Sequence, residues 1–280
     1  MSKASRTVDS QAWRGGRVSG GARAIPEETA LALTYNGGTY AVMMGTPCDL
    51  EDFAIGFSLN AGIVESADAI ESLEIVRVEN GIELRMWLAR VKAARLSERR
   101  RHIAGPTGCG LCGIASIAEA VGPAGIVGPG PTFSSDQIMA AMRSTAALQK
   151  INIETHAVHA GAFWTQEDGI VVLREDVGRH NALDKLAGAL TRGNVRTDNG
   201  MVLLTSRVSI ELVQKTATMG ASLMVAVSAP TTLAVRTAEA AGITLVAIAR
   251  DDGFEVFTHP HRVSSRNTIS VATPATVSVK

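Results

Sequence analysis

The chain has 280 residues, 46% of them hydrophobic and 19% charged, which is enough apolar material for one large domain or two ordinary ones and too much for a disordered chain. Its 27 Lys and Arg balance 27 Asp and Glu, so no global charge recommends nucleic acid or an anionic membrane, and 4% aromatics argue against a base-stacking platform. Three cysteines, an odd number, form no closed disulfide framework and point to a reducing, cytoplasmic setting.

Residues 1–22 carry Arg6, Arg14 and Arg17 but no apolar run of signal-peptide length, and they read as a disordered tail. The longest apolar stretches, such as 240–249, are about half a membrane span. Residues 23–131 read as a small α+β domain. Apolar runs at 31–35 and 39–44 flank Asn36-Gly37-Gly38, a hairpin signal, and 73–78 and 82–88 flank Asn80-Gly81 in the same way. Between the hairpins, Asp49 opens a helical stretch to about residue 63, with acids in its first turn.

A basic run at 90–102 and a Gly- and Pro-rich stretch at 105–131 close this part. Residues 132–280 alternate. Ser134 and Gln137 are spaced as a capping box for a helix to residue 150. Strand-like runs follow at 155–163, 170–173, 201–204, 223–227 and 243–248. Helical runs fit 182–190, 208–219 and 233–241, with Gly193, Gly220 and Gly242 near their ends. This order predicts an α/β layer on a largely parallel or mixed sheet.

Chemistry concentrates first in Gly108-Cys109-Gly110-Leu111-Cys112-Gly113. Three glycines leave the backbone open, and the basic run upstream favours thiolate over thiol. On spacing alone four readings stand: an incidental pair, half of a zinc site, a redox dithiol, and a sulfur carrier whose thiolate takes up a sulfane sulfur as a persulfide. Zinc needs two further ligands, and Cys48, His156 and His159 offer no pattern for them.

The second concentration, Glu175 to Lys185, falls where a strand hands over to a helix. Arg179 and His180, with backbone N–H groups there, suit a phosphate or another anion. The plainer reading is a capped helix with Asp184 and Lys185 in solvent. Ser206, Arg207 and Ser209 follow the next strand, and a shared pocket at the carboxyl ends of strands fits the α/β pattern. Glu211 and Lys215 read as a helix-surface pair four residues apart. His156 and His159, within one strand-like run, are expected on opposite faces. His259-Pro260-His261 reads as a polar turn, and Cys48 as a half-buried bystander.

Taken in order, Thr107 to Gly113, Thr155-His156-Ala157, Glu175 to Lys185, Ser206-Arg207 through Lys215, and Thr258-His259-Pro260 resemble the FdhD family, the formate dehydrogenase accessory sulfurtransferases, over about residues 31–262. The resemblance implies a cytoplasmic sulfurtransferase in which Cys109 carries a persulfide and Cys112 assists or also accepts sulfur. It implies a cysteine desulfurase as sulfur donor and formate dehydrogenase apoenzyme as client. Bis-molybdopterin guanine dinucleotide would be the bound substrate, at Ile248, Ala249, Arg250, Asp251, Asp252 and Gly253, with Arg179, His180 and Arg207 as phosphate ligands. As aligned here the family carries Phe where this chain has Ile248. A cytidine-deaminase-like domain at 132–280 and a homodimer are also implied, with no resident metal.

The main rivals are a cofactor carrier without sulfur chemistry and a disulfide oxidoreductase. A zinc deaminase is excluded: His156-Ala157-Val158 lacks the Glu that chemistry needs, and the cysteine pair lies upstream instead of downstream.

Overall fold

The computed structural model describes residues 4–89 and 121–265. Cys109, Cys112 and the basic run lie outside the described residues, so no geometry attaches to them.

Residues 5–26 correct the expected tail. Strands β1 (Ser5–Arg14) and β2 (Arg17–Pro26) pair in unbroken antiparallel register from Ser5↔Pro26 to Arg14↔Arg17. The turn between them is Gly15-Gly16, with φ of 54° and 74°, the left-handed geometry whose twist matches a hairpin. The expected boundary at 22/23 falls inside β2. Its polar, solvated composition hid this ribbon from sequence reading, because no buried face imposes an apolar alternation on it.

The N-terminal unit is a four-stranded sheet, order β4-β3-β6-β5, built from β3 (Thr29–Tyr35), β4 (Gly38–Gly45), β5 (Ile70–Val78) and β6 (Gly81–Leu88). Asn36 and Gly37, both at positive φ, make the expected turn. The second hairpin turns differently. Neither Asn80 nor Gly81 has positive φ; Gly81 is needed because a Cβ there would lie 2.5 Å from the Ala30 carbonyl oxygen. Helix α1 (Leu50–Asn60) covers one sheet face through Phe53, Ala54 and Phe57, against Leu31, Leu33, Leu84 and Met86.

The larger unit has three layers. Its sheet runs β13-β12-β11-β10-β8-β9, from β8 (His159–Thr165), β9 (Gly169–Asp176), β10 (Gly200–Leu204), β11 (Leu223–Ala226), β12 (Thr244–Arg250) and β13 (Gly253–Val256). The three central strands β10, β11 and β12 are parallel and the remaining pairings antiparallel, so the sheet is mixed as expected. Helix α2 (Ser135–Leu148), with its predicted Ser134–Gln137 capping box, packs on one face. Helices α4 (Arg179–Arg192), α5 (Ile210–Thr218) and α6 (Thr232–Ala241) pack on the other. A two-stranded pair, β7 (Phe133–Ser134) with β14 (Val263–Ser264), joins the two ends of this unit.

The strand expected at 155–163 begins later. Thr155 ends the short helix α3 (Lys150–Thr155), and His156 is its left-handed cap at φ 54°; only His159 is in β8. The two histidines therefore do not share a strand. The cause is tertiary: the Glu175 carboxylate accepts from the Ile151 and Asn152 amides at 2.9 and 2.8 Å, which caps α3 from a strand twenty residues on.

The two units meet through α1 and α4, which cross almost backbone to backbone. A Cβ on Gly56 would sit 1.8 Å from the Asp184 carbonyl oxygen, and one on Gly188 would sit 1.9 Å from that of Asp52. Charge completes the seam: buried Asp52 holds Arg174 Nε at 2.8 Å and Arg192 Nη1 at 2.6 Å.

Candidate functional site

In the parallel part of the sheet the strands end on one edge, and the candidate residues collect there. Asp176 ends β9, and α4 starts three residues later with Gly178 as an N-cap that has no side chain to offer. The turn is held by Asp176. Its Oδ1 accepts from the Gly178 amide (2.8 Å) and Asn181 Nδ2 (3.0 Å), and its Oδ2 from the Thr46 amide (3.0 Å) and Lys185 Nζ (2.7 Å). Lys185 Nζ also donates to the carbonyls of Thr46 (2.9 Å) and Glu175 (3.3 Å). Both charged groups are fully buried and fully bonded.

This overturns the expectation that Asp184 and Lys185 face solvent. Asp184 is buried too, accepting from Lys215 Nζ at 2.6 Å and from Asn60 Nδ2 at 2.7 Å, which ties α1, α4 and α5 together. The expected Glu211–Lys215 surface pair is likewise absent among the described residues, since Lys215 is spent on Asp184. Glu211 turns instead toward buried His180, whose Nε2 lies 3.8 Å from Glu211 Oε2 and 3.4 Å from Ser209 Oγ.

His180 and Ser209 together hold the Glu211 carboxyl far below its ordinary 4.5, at about 2, against the opposing effect of burial. A depressed folded-state value contributes stability above the unfolded value and loses it as pH falls through the folded one. The Glu211→Gln variant is therefore expected to show a shallower loss of stability than the parent between about pH 4.5 and 2, read by urea melts at stepped pH.

His159 starts β8 opposite Asp176 and is half-buried; burial first, and then Arg179, lower its affinity for a proton. Arg179 starts α4, and its Nε is buried with no acceptor. Arg207 follows β10 and is exposed. Arg250 ends β12 and is exposed, with Asp251-Asp252 in the turn to β13. None of the three arginines has an ion pair among the described residues.

The segment Ile248 to Gly253 is irregular. The β12–β13 register shifts between Ala247 and Arg250, and Ile248 sits at φ 53°, an outlying conformation for a β-branched residue. Backbone strain of this kind costs on the order of 1–3 kcal/mol and gathers where function fixes geometry. From the β9 end to the β12 end is four strand spacings, roughly 19 Å. The structure thus joins Arg179, His180 and His159 closely. It places Arg207 next along the edge, and Ile248, Ala249, Arg250, Asp251, Asp252 and Gly253 at its far side.

Sequence reading missed Thr46 as part of this edge: it comes from the other unit, and nothing local marks it.

Cys48 is half-buried, as expected, with its Sγ 3.8 Å from Lys185 Nζ. Burial, chiefly, pushes its thiol up to about 11. In a Cys109→Ser/Cys112→Ser variant, Cys48 is expected to alkylate with iodoacetamide at pH 8 roughly a hundredfold more slowly than an ordinary thiol. No group of three metal-ligating side chains occurs among the described residues, and none of their helices is long and apolar enough to cross a membrane.

The chain is a mixed α/β protein in which Arg179, Arg207 and Arg250, none of them ion-paired among the described residues, stand at or just after strand ends on one edge of the sheet. The chain belongs to the FdhD/NarQ family, whose family model matches residues 26–264. It is 46% identical to the sulfur carrier protein FdhD of Agrobacterium fabrum over 265 residues, covering 92% of this chain and 96% of that one. It is 50% identical to the sulfur carrier protein FdhD of Brucella abortus over 262 residues, covering 93% and 97%. A solved structure described as a formate dehydrogenase accessory protein, from Desulfotalea psychrophila, shares the fold: TM-score 0.72, 24% identity, 94% of this chain and all of that one.

Proposed function

We propose that this chain is a cytoplasmic sulfur carrier serving formate dehydrogenase. It takes sulfur from a cysteine desulfurase and hands it to bis-molybdopterin guanine dinucleotide before that cofactor enters the apoenzyme. In the first step the Cys109 thiolate attacks the outer sulfur of the desulfurase persulfide. The S–S bond breaks, the desulfurase cysteine leaves as thiolate, and Cys109 holds the persulfide. Cys112 assists or accepts sulfur in turn.

The observation that carries this reading is that Arg179, Arg207 and Arg250, without an ion pair among the described residues, stand along one sheet edge in a member of this family. They suit the phosphates of an elongated polyanion, with His180 beside them and Ile248 to Gly253 as the far wall. Chain length supports access: Gln214 Nε2 on α5 binds the Gly122 carbonyl at 2.8 Å, and Cys112 is ten residues upstream, within about 36 Å of it. The same reading takes the three-layer unit as cytidine-deaminase-like, the four-stranded sheet with α1 as the second domain, and the working form as a homodimer.

Intact-mass spectrometry tests the sulfur step. After incubation with a cysteine desulfurase and cysteine, the parent chain is expected to gain about 32 Da, reversibly by reductant, and Cys109→Ala to gain nothing there. No gain in the parent, with guanine-dinucleotide binding intact, would leave a carrier without sulfur chemistry; loss of two hydrogens would mark a redox dithiol. For the edge, Arg179→Ala is expected to weaken binding of a guanine nucleoside diphosphate at least tenfold by calorimetry, the usual worth of a hydrogen bond to a charged group.

A further inference from the structure

Helix α5 begins without the cap its sequence offers. Its N-cap is Ser209, a residue type well suited to the role, yet the hydroxyl makes no capping hydrogen bond. Ser209 serves two other groups instead. It bonds the Glu211 carboxylate, and its Oγ lies 3.4 Å from His180 Nε2; Glu211 Oε2 lies 3.8 Å from the same nitrogen. A local rule given up in this way is offset by a gain elsewhere, most often at a functional site.

His180 is the second residue of α4, whose first turn holds no acid and whose N-cap, Gly178, holds no side chain. The positive end of a helix disfavours a cation there unless an anion is close. Around the ring stand Arg179 on its own helix, His159 on β8, Asp176 at the end of β9 and Glu211 on α5, with Arg207 on the loop before Ser209. Asp176 is committed to Lys185, and Asp184, one turn along α4, to Lys215. Among the described residues Glu211 is thus the carboxylate left for His180. Its low proton affinity keeps it charged at every pH near neutrality.

We propose that Glu211, supported by Ser209, is a positioning residue of the anion-binding edge. It holds the His180 ring by Nε2–H and stabilises the imidazolium, so that His180 meets a phosphate as a cation through its other nitrogen. Nδ1 points away from Nε2 on the ring and has no hydrogen-bond partner among the described residues. The proton comes from solvent as the anion arrives, because imidazole changes charge near neutrality. A carboxylate behind a histidine fixes the orientation and raises the basicity of metal-bound imidazoles, and the same physics applies where the ligand is a phosphate. The role rests on the edge being the phosphate site proposed above, and it adds the group that stands behind that site.

Calorimetric binding of GDP-mannose to the full chain, between about pH 8.5 and 6.5, tests this. The pyrophosphate of this probe is a diester, so it lacks the second phosphate ionisation near pH 6 that would blur the profile. In the parent, affinity is expected to rise about tenfold as pH falls across that range, because binding takes up a proton. Glu211→Gln keeps an acceptor but no charge, and its affinity is expected to vary by less than about threefold. Glu211→Asp retains the charge and is expected to retain the slope; Ser209→Ala, which removes no cap, is expected to flatten it. Arg179→Ala is expected to lower affinity equally at every pH, since a guanidinium does not titrate there. An unchanged slope in Glu211→Gln would put the proton on another group, His159 first, and overturn the proposal while the edge stands. So would a flat profile in the parent. A parent that does not bind the probe, or an Arg179→Ala variant that binds it as the parent does, would remove the phosphate edge and this role with it.

Discussion

Replacing Lys185 by Met is expected to destabilise the protein by about 3–5 kcal/mol, read as a lowered urea midpoint with an unchanged slope. The substitution keeps the apolar stem and removes the ammonium. Asp176 is then left as a fully buried carboxylate whose cation is gone, while the Thr46 and Glu175 carbonyls lose a donor. The cost comes mainly from that uncompensated charge, because an intact buried pair is close to neutral against an apolar replacement. Hence Asp176→Asn on top of Lys185→Met is expected to recover a substantial part of the loss. Asn keeps an acceptor for the Gly178 amide and carries no charge. A double-mutant cycle showing no coupling between 176 and 185 would contradict this account.

The second large effect concerns Gly188 and Gly56. Helix propensity alone says that Ala in place of a mid-helix glycine stabilises by up to about 1 kcal/mol. The crossing of α1 and α4 says the reverse. The new Cβ would lie 1.9 Å from the Asp52 carbonyl oxygen for Gly188→Ala and 1.8 Å from that of Asp184 for Gly56→Ala. Backbone cannot swing aside as a side chain can, so the helices must separate. That movement would strain Asp52 between Arg174 and Arg192 and Asp184 between Asn60 and Lys215. A net loss of about 2–3 kcal/mol or more is expected for either variant by chemical denaturation. A stabilised Gly188→Ala would show that the helices have room to spare.

The elements easiest to read from sequence were those with strong local rules. Ser134 and Gln137 specify a capping box by their own side chains, Asn36-Gly37 a left-handed turn, and the runs 201–204 and 223–227 are too apolar to lie anywhere but inside a sheet. The strand-to-helix handover at Glu175 to Lys185 was legible for the same reason. Its polarity, however, misled. A run containing Glu175, Asp176, Asp184 and Lys185 looks solvated, and all four are buried. Their partners come from Thr46 and Ile151, from Asn60 and Lys215, residues that no spacing rule connects to them.

By itself the sequence determined the α/β alternation and the family resemblance through blocks in a set order. These rest on properties a residue carries with it: period, turn geometry and side-chain type. Only the tertiary structure decided which charges are spent internally and which are left over. Lys215 and Glu211 are four residues apart on one helix, yet one is taken by Asp184 and the other faces His180. Arg179, Arg207 and Arg250 look no different in sequence from Arg174 and Arg192, which Asp52 neutralises. Pairing depends on distances across elements, and a one-dimensional pattern does not contain those distances.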